Sequence, residues 1–175
     1  MVEETFIMSN EETYRIIIQT YQQQIFSYIY KMVKCKEDAE DLTQETFLKV
    51  FKKLDSLREP SLVKSWLYQI AYRTVVNHIK KQKLKSFSLF TNPDSINDLV
   101  YESNDETYSE KAIQIFATLD HKEHTLLTLR VVEEMSYDEI SLIMGKSSAT
   151  LRKRYERLIK RLRSDFEEVA HEEDN

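Results

Sequence analysis

Along most of this chain apolar residues recur every three or four positions, the spacing of helices that bury one face. Tyr14, Ile17, Ile18, Tyr21, Ile25, Tyr28, Ile29 and Met32 keep that rhythm. Ser9 and Glu12 ahead of them have capping-box spacing, which predicts a helix from there to about Lys34. A charged break at 34–37 leads into a second helix, about Asp38 to Leu54, with Ala39, Leu42, Thr43, Phe47 and Val50 facing inward. Glu59-Pro60-Ser61 interrupts the pattern, because the residue before a proline is pushed out of the helical region. Ser61 is then placed to cap a third helix, Leu62 to about Lys83, burying Trp66, Leu67, Ile70, Ala71, Thr74 and Val75. A fourth helix is expected over Ser109–Leu119. Asp120 with Glu123 repeats the capping spacing and starts a fifth, through about Glu134, with Leu126, Leu127, Leu129, Val131 and Val132 packed beneath the last two helices of the chain.

Those last two helices carry the most ordered pattern in the sequence. Ser136 and Glu139 form another capping pair before Ile140, Ile143 and Met144, and that short helix stops at Gly145, where a left-handed turn carries no Cβ penalty. Ser147 is placed to cap a longer helix whose Leu151, Tyr155, Leu158 and Leu162 form one stripe. Its other positions hold Arg152, Lys153, Arg154, Arg157, Lys160, Arg161 and Arg163 against a single acid, Glu156. A short helix, a glycine turn and a longer basic helix read as a helix-turn-helix, with the second helix placed for a DNA major groove. The small polar start, Ser148, Ala149 and Thr150, lies where side chains meet base edges, together with Arg152 and Lys153. Arg154, Arg157 and Lys160 are better placed for phosphates, which fix register without carrying sequence information. The bland alternative is a helical hairpin with a solvated charged face.

Composition narrows the fold to all-α. One glycine and two prolines in 175 residues leave no supply for tight β-hairpins, dinucleotide-binding loops or P-loops. Two small helical domains are expected, 1–85 and 108–175, joined by an acidic linker over 86–107, with an acidic tail that frays after Phe166. The net charge of −5 is unevenly laid out: 73–85 carries five positive side chains and no acid, whereas 86–110 carries six acids and no Lys or Arg. Two basic surfaces separated by acidic blocks are therefore indicated. A linker of 22 residues reaches at most about 70 Å, the length of roughly two turns of B-DNA. The single Cys35 excludes an internal disulfide and fits a reducing compartment. No basic, apolar leader and no apolar run near the ~20 residues needed to cross a bilayer is present, so a cytoplasmic protein is expected. His121 and His124 stand three apart with no third ligand nearby, so neither a metal nor a cofactor is expected. No nucleophile–base pair appears either, which argues against an enzyme.

Two helices of the first half have informative outer faces. On the second, Glu40, Asp41, Gln44 and Glu45 lie together at 3–4 spacing: a solvated acidic face or a docking face for a basic or helical partner. On the third, Tyr68, Tyr72, Arg73, Asn77, Lys80 and Lys81 mix aromatic rings with cations, the combination that stacks on and charge-pairs with unpaired bases.

Asp38-Ala-Glu-Asp-Leu-Thr-Gln-Glu-Thr-Phe, then Trp66-Leu-Tyr-Gln-Ile-Ala, then the helix-turn-helix, resemble in that order the extracytoplasmic-function (ECF) sigma factors. These are small two-domain subunits of bacterial RNA polymerase, and the resemblance covers about 10–85 and 108–164. It implies that Asp41, Gln44 and Glu45, with Glu40 and Phe51 as neighbours, dock on a coiled coil of the core polymerase's largest subunit. It implies that the loop 55–61 and the helix after Trp66 open and read the −10 promoter element, through Tyr72, Arg73, Asn77, Lys80 and Lys81. The basic helix would read the −35 element, and the acidic linker would thread polymerase channels meant for nucleic acid. An anti-sigma partner, often membrane-bound, and a role in a stress or envelope response belong to the same expectation. The chain departs from the family pattern at Val63, at Tyr72-Arg73 and at Lys146. Its rivals are a dimeric operator-binding regulator and a helical adaptor, or anti-sigma-like protein, that never touches DNA.

Overall fold

In chain order the elements are α1 (Asn10–Val33), α2 (Lys36–Lys53), two 3-10 turns (Leu54–Ser56 and Pro60–Leu62), α3 (Val63–Leu89), α4 (His121–Leu127), a π turn (Thr128–Val132), α5 (Tyr137–Met144) and α6 (Ser148–Glu173). This computed structural model describes residues 9–57, 59–89, 115–116 and 118–173, with the side chains of 83–89 and 168–173 left out of that description. Among the described residues there is no strand, so the fold is all-α. The chain divides into two units, Met1–Lys83 and Leu84–Asn175. The linker beyond Leu89, and the expected fourth helix apart from 115–116 and its last two residues, lie outside the described residues.

The first unit is built on the α1–α2 pair. Ser9 Oγ accepts the Glu12 N–H at 3.2 Å and starts α1. Its end is less economical: Lys34 takes the left-handed conformation (φ 57°) so that its N–H reaches the Tyr30 carbonyl at 2.8 Å. Burial of that lysine lowers its pKa. Every residue of α2 expected inward is buried, and Thr46 joins them. The buried threonines Thr43 and Thr46 return their hydroxyls to the carbonyls four residues back, at 2.6 and 2.7 Å. Each thereby satisfies its polar group without leaving the helix. The Tyr14 hydroxyl donates to the Phe47 carbonyl at 3.1 Å, and burial raises its pKa.

The third helix differs from its expected form in three ways. Ser61 falls inside the 3-10 turn that Pro60 opens, so it does not cap α3. Proline suits the first position of a helical turn because its missing N–H would have no partner there. The helix also runs beyond Lys83 to Leu89, into the stretch assigned to the linker. Tyr68, expected outside, is fully buried, its ring edge-on to Tyr28 at 5.3 Å. Leu67, Ala71, Thr74 and Val75 are buried as expected, and Trp66 is half-buried.

In the second unit both capping boxes form. Asp120 accepts the Lys122 and Glu123 N–H groups, both at 2.8 Å, and Ser136 and Glu139 exchange bonds. The helix from Asp120 does not continue regularly to Glu134. A π turn over Thr128–Val132 places the Glu133 N–H on the Thr128 carbonyl at 3.0 Å, five residues back. Glu134 then turns left-handed (φ 55°) and Met135 N–H closes on Leu129. The wider turn carries Val131 and Val132 out to solvent, 53% and 60% exposed, where the amphipathic pattern had them in the core. Ile115 and Leu119 form one buried cluster with Leu158 and Leu162 of α6. The acidic end of the chain does not fray at Phe166; α6 continues to Glu173.

Candidate nucleic-acid interface and docking face

The helix-turn-helix is positioned by its turn. Gly145 has φ 64° and ψ 37°, and its N–H reaches the Ser141 carbonyl at 2.9 Å. A Cβ there would meet nothing within 4 Å, so glycine is needed for its dihedral angle and not for space. Ser147 Oγ takes the Thr150 N–H at 3.3 Å and meets the Thr150 hydroxyl at 2.8 Å, starting α6. Thr150 is thereby tied into the cap.

At roughly 100° per residue the basic side chains of α6 spread over far more than one face. Leu151, Leu158 and Leu162 are buried on one side, while Tyr155 is only half-buried. Opposite them, Ala149, Lys153 and Lys160 fall within roughly 40° of one another, with Arg157 at one border and Glu156 at the other. All five are exposed. Arg152 and Arg154 occupy opposite flanks. Arg154 lines a groove of about 400 Å³ with Arg157, Arg161, Asp120, Lys122 and Glu123. Arg161 donates to Glu123 at 3.0 Å, which raises its pKa. Arg152 instead lies over the Tyr137 ring, 5.4 Å from its centre. Ser148 is half-buried and donates its hydroxyl to Asp138. Of the side chains expected at base edges, Ala149 and Lys153 stand clear, while Ser148 and Arg152 are held by the first turn of α5.

In the first unit, Arg73, Asn77, Lys80 and Lys81 are spread along α3, all four exposed, and Tyr72 is half-buried beside them. The loop before them includes Asp55, which accepts from Asn10 at 2.6 Å. On α2, Glu40, Asp41, Gln44 and Glu45 are all exposed. Phe51 extends that face, 50% exposed and edge-on to Tyr14 at 5.0 Å. Leu48, at 59% exposure, belongs to the same surface. It was readable as the one leucine of α2 outside the buried stripe, four residues after Gln44. Glu45 is paired with Lys49 at 2.6 Å, and the same ammonium donates to Thr74 of α3 at 3.0 Å. Asp38 faces His78 at 3.4 Å and accepts from Gln82 at 3.2 Å. Helices α2 and α3 are thus cross-braced.

Among the described residues no group of three or more His, Cys, Asp or Glu could hold a metal ion, and no helix is long and apolar enough to cross a membrane.

Residues 17–85 match the family described as Sigma-70 region 2, and residues 109–162 match Sigma-70, region 4. The ECF RNA polymerase sigma-E factor of Escherichia coli K12 is 31% identical over 159 residues, covering 83% of this chain and 82% of that one. RNA polymerase sigma factor YlaC of Bacillus subtilis is 28% identical over 145 residues, covering 80% and 84%. Among solved structures, the sigma factor RpoE of Bartonella quintana, in complex with the anti-sigma factor NepR, superimposes with a TM-score of 0.73. That match covers 89% of this chain and 97% of the other at 18% identity, and shows the shared fold.

Proposed function

The chain belongs to the ECF sigma factors of the sigma-70 family, and on that premise we propose how its two units divide the work of transcription initiation. The first unit joins core RNA polymerase through Asp41, Gln44 and Glu45, with Glu40, Leu48 and Phe51 around them. Its α3 takes the −10 element: Arg73, Asn77, Lys80 and Lys81 hold the strand as it opens, and Tyr72 offers a ring for an unpaired base. The second unit places α6 in the −35 major groove, with Ala149, Arg152 and Lys153 toward base edges and Arg157 and Lys160 toward phosphates. Arg154, on the groove flank, serves the phosphate backbone. The protein supplies recognition and leaves bond-making to the polymerase, which places it in the cytoplasm. An anti-sigma protein that covers these faces until a stress or envelope signal arrives completes the proposal; the RpoE relative was solved bound to such a partner.

The observation that carries this proposal is the outer face of α2. Four polar residues and two large apolar ones stand exposed on a helix whose other side is wholly buried. A dimeric operator-binding regulator has no use for such a surface.

Run-off transcription with purified bacterial core polymerase on a library of randomised promoters tests it. Transcripts should appear only with the protein, and Asp41→Ala or Gln44→Ala should abolish most of them while leaving binding to isolated −35 DNA intact. Direct, tight binding of the protein alone to a palindromic site, with no transcripts, would establish the dimeric regulator instead.

A further inference from the structure

We propose that Tyr137 is a specificity-determining residue of the −35 site, acting by holding Arg152 in the position from which it reads a base. The inference rests on the placement of α6 in the major groove. Two guanidinium carbons lie over the Tyr137 ring: Arg152 at 5.4 Å from its centre and Arg130 at 5.2 Å. Both fall inside the ~6 Å range at which a cation is attracted to the ring's negative face. Arg130 is itself fixed, donating Nη1 to the Met135 carbonyl at 3.0 Å. The ring also meets Tyr155 of α6 edge-on at 6.2 Å. Tyr137 therefore sits at the meeting point of the π turn, the first turn of α5 and the second turn of α6.

The neighbouring residue does a parallel job, since Asp138 accepts the Ser148 hydroxyl. The first turn of α5 thus tethers Ser148 and Arg152, one turn apart on the same flank of α6, before any DNA arrives. An arginine with several rotatable bonds loses most of its freedom when it meets a guanine edge. Stacking on Tyr137 removes part of that loss in advance. The discriminating power of this flank therefore concentrates in Arg152.

The test uses the full-length protein with core polymerase on a promoter library randomised across the −35 element, comparing Arg152→Ala, Tyr137→Leu, Tyr137→Phe and the double variant Y137L/R152A. Arg152→Ala should lose preference at one base position. Tyr137→Leu should relax the same position by about 2- to 10-fold, the range of a cation–π contact, and should add nothing further in the double variant. Tyr137→Phe keeps the ring and should retain the wild-type preference. A Tyr137→Leu protein that weakens all promoters alike, with the base preference intact, overturns the positioning role. So does a Tyr137→Phe protein that shifts preference as Arg152→Ala does, because the hydroxyl would then be acting directly; this arm stands even if the leucine variant folds poorly. If Arg152→Ala leaves every −35 preference unchanged, the base-reading placement of α6 itself has failed, and Tyr137 with it.

Discussion

Helices α3 and α6, proposed above to serve the −10 and −35 elements, are held in different ways. In the first unit α3 is gripped from beneath: Leu67, Tyr68 and Ala71 are wholly buried, Val75 nearly so, and Lys49 reaches across to Thr74. Arg73, Asn77, Lys80 and Lys81 are exposed on a helix whose other side is set in the core. In the second unit α6 buries three leucines, at 151, 158 and 162, over three turns. Ile159 packs on the same core and Phe166 meets Phe116 edge-on at 6.2 Å, and polar ties near the surface add to that hold: Ser148 to Asp138, Arg152 over Tyr137 and Arg161 to Glu123. A helix that catches melted, flexible strands is served by a fixed rail of charge. On the proposed roles, a helix that reads base edges needs individual side chains aimed, and the surface ties would supply that aiming.

The sharpest way to break this comparison is at Tyr68. Its ring packs edge-on against Tyr28 and both are fully buried. Tyr68→Ala should destabilise the first unit by about 3–5 kcal/mol, the cost of deleting a large buried aromatic side chain. The only tryptophan, Trp66, lies two residues away on the same helix. Urea unfolding followed by its fluorescence therefore reports this unit directly. A loss below about 1 kcal/mol would mean that α3 is not held from beneath.

A smaller effect is expected at the hinge of the second unit. Gly145 sits at φ 64° with open space around it, so Gly145→Ala adds only the dihedral penalty, about 1–2 kcal/mol. Thermal melting followed by helicity should show it as a lower midpoint. Lys34 makes the same left-handed turn in the first unit without glycine, and Lys34→Gly should recover a comparable part of that penalty.

These helix ends show how far local chemistry was readable. Ser9, Asp120, Ser136, Ser147 and Gly145 each act within four residues of themselves, and each is where its spacing placed it. The inward face of α2 was equally readable, because a threonine or leucine every third or fourth position admits one orientation. Val131 and Val132 failed for a physical reason. The run 126–132 holds five apolar residues with no clean period, and a single π turn reverses which side faces out. Tyr68 failed because a tyrosine's apolar body and polar tip suit either side of a helix. The tail was expected to fray as chain ends commonly do; the intrinsic preference of Glu and Ala for helix supports its continuation to Glu173. On α2, α3 and α6 the exposed charged residues were readable, but the ties were not. Arg152 and Tyr137 are fifteen positions apart across a turn, and no spacing rule brings such a pair together.

The mildest perturbation bears on whether those surface ties stabilise the second unit or only aim its side chains. Arg161 and Glu123 meet at 3.0 Å with their side chains 46% and 30% exposed. Water and salt screen a pair at that exposure, and holding two long side chains together costs entropy, so its worth is about 0.2–1 kcal/mol. Glu123 also closes the capping box, its carboxylate accepting the Asp120 N–H at 3.1 Å. Glu123→Gln keeps an oxygen for that cap and removes the charge that faces Arg161. The melting midpoint should therefore fall by no more than a few degrees, and the difference should shrink in high salt. A larger drop that survives salt would show the tie to be structural, and α6 would then be held much as α3 is. A small, salt-sensitive drop would show a weak surface pair that positions Arg161 without anchoring α6.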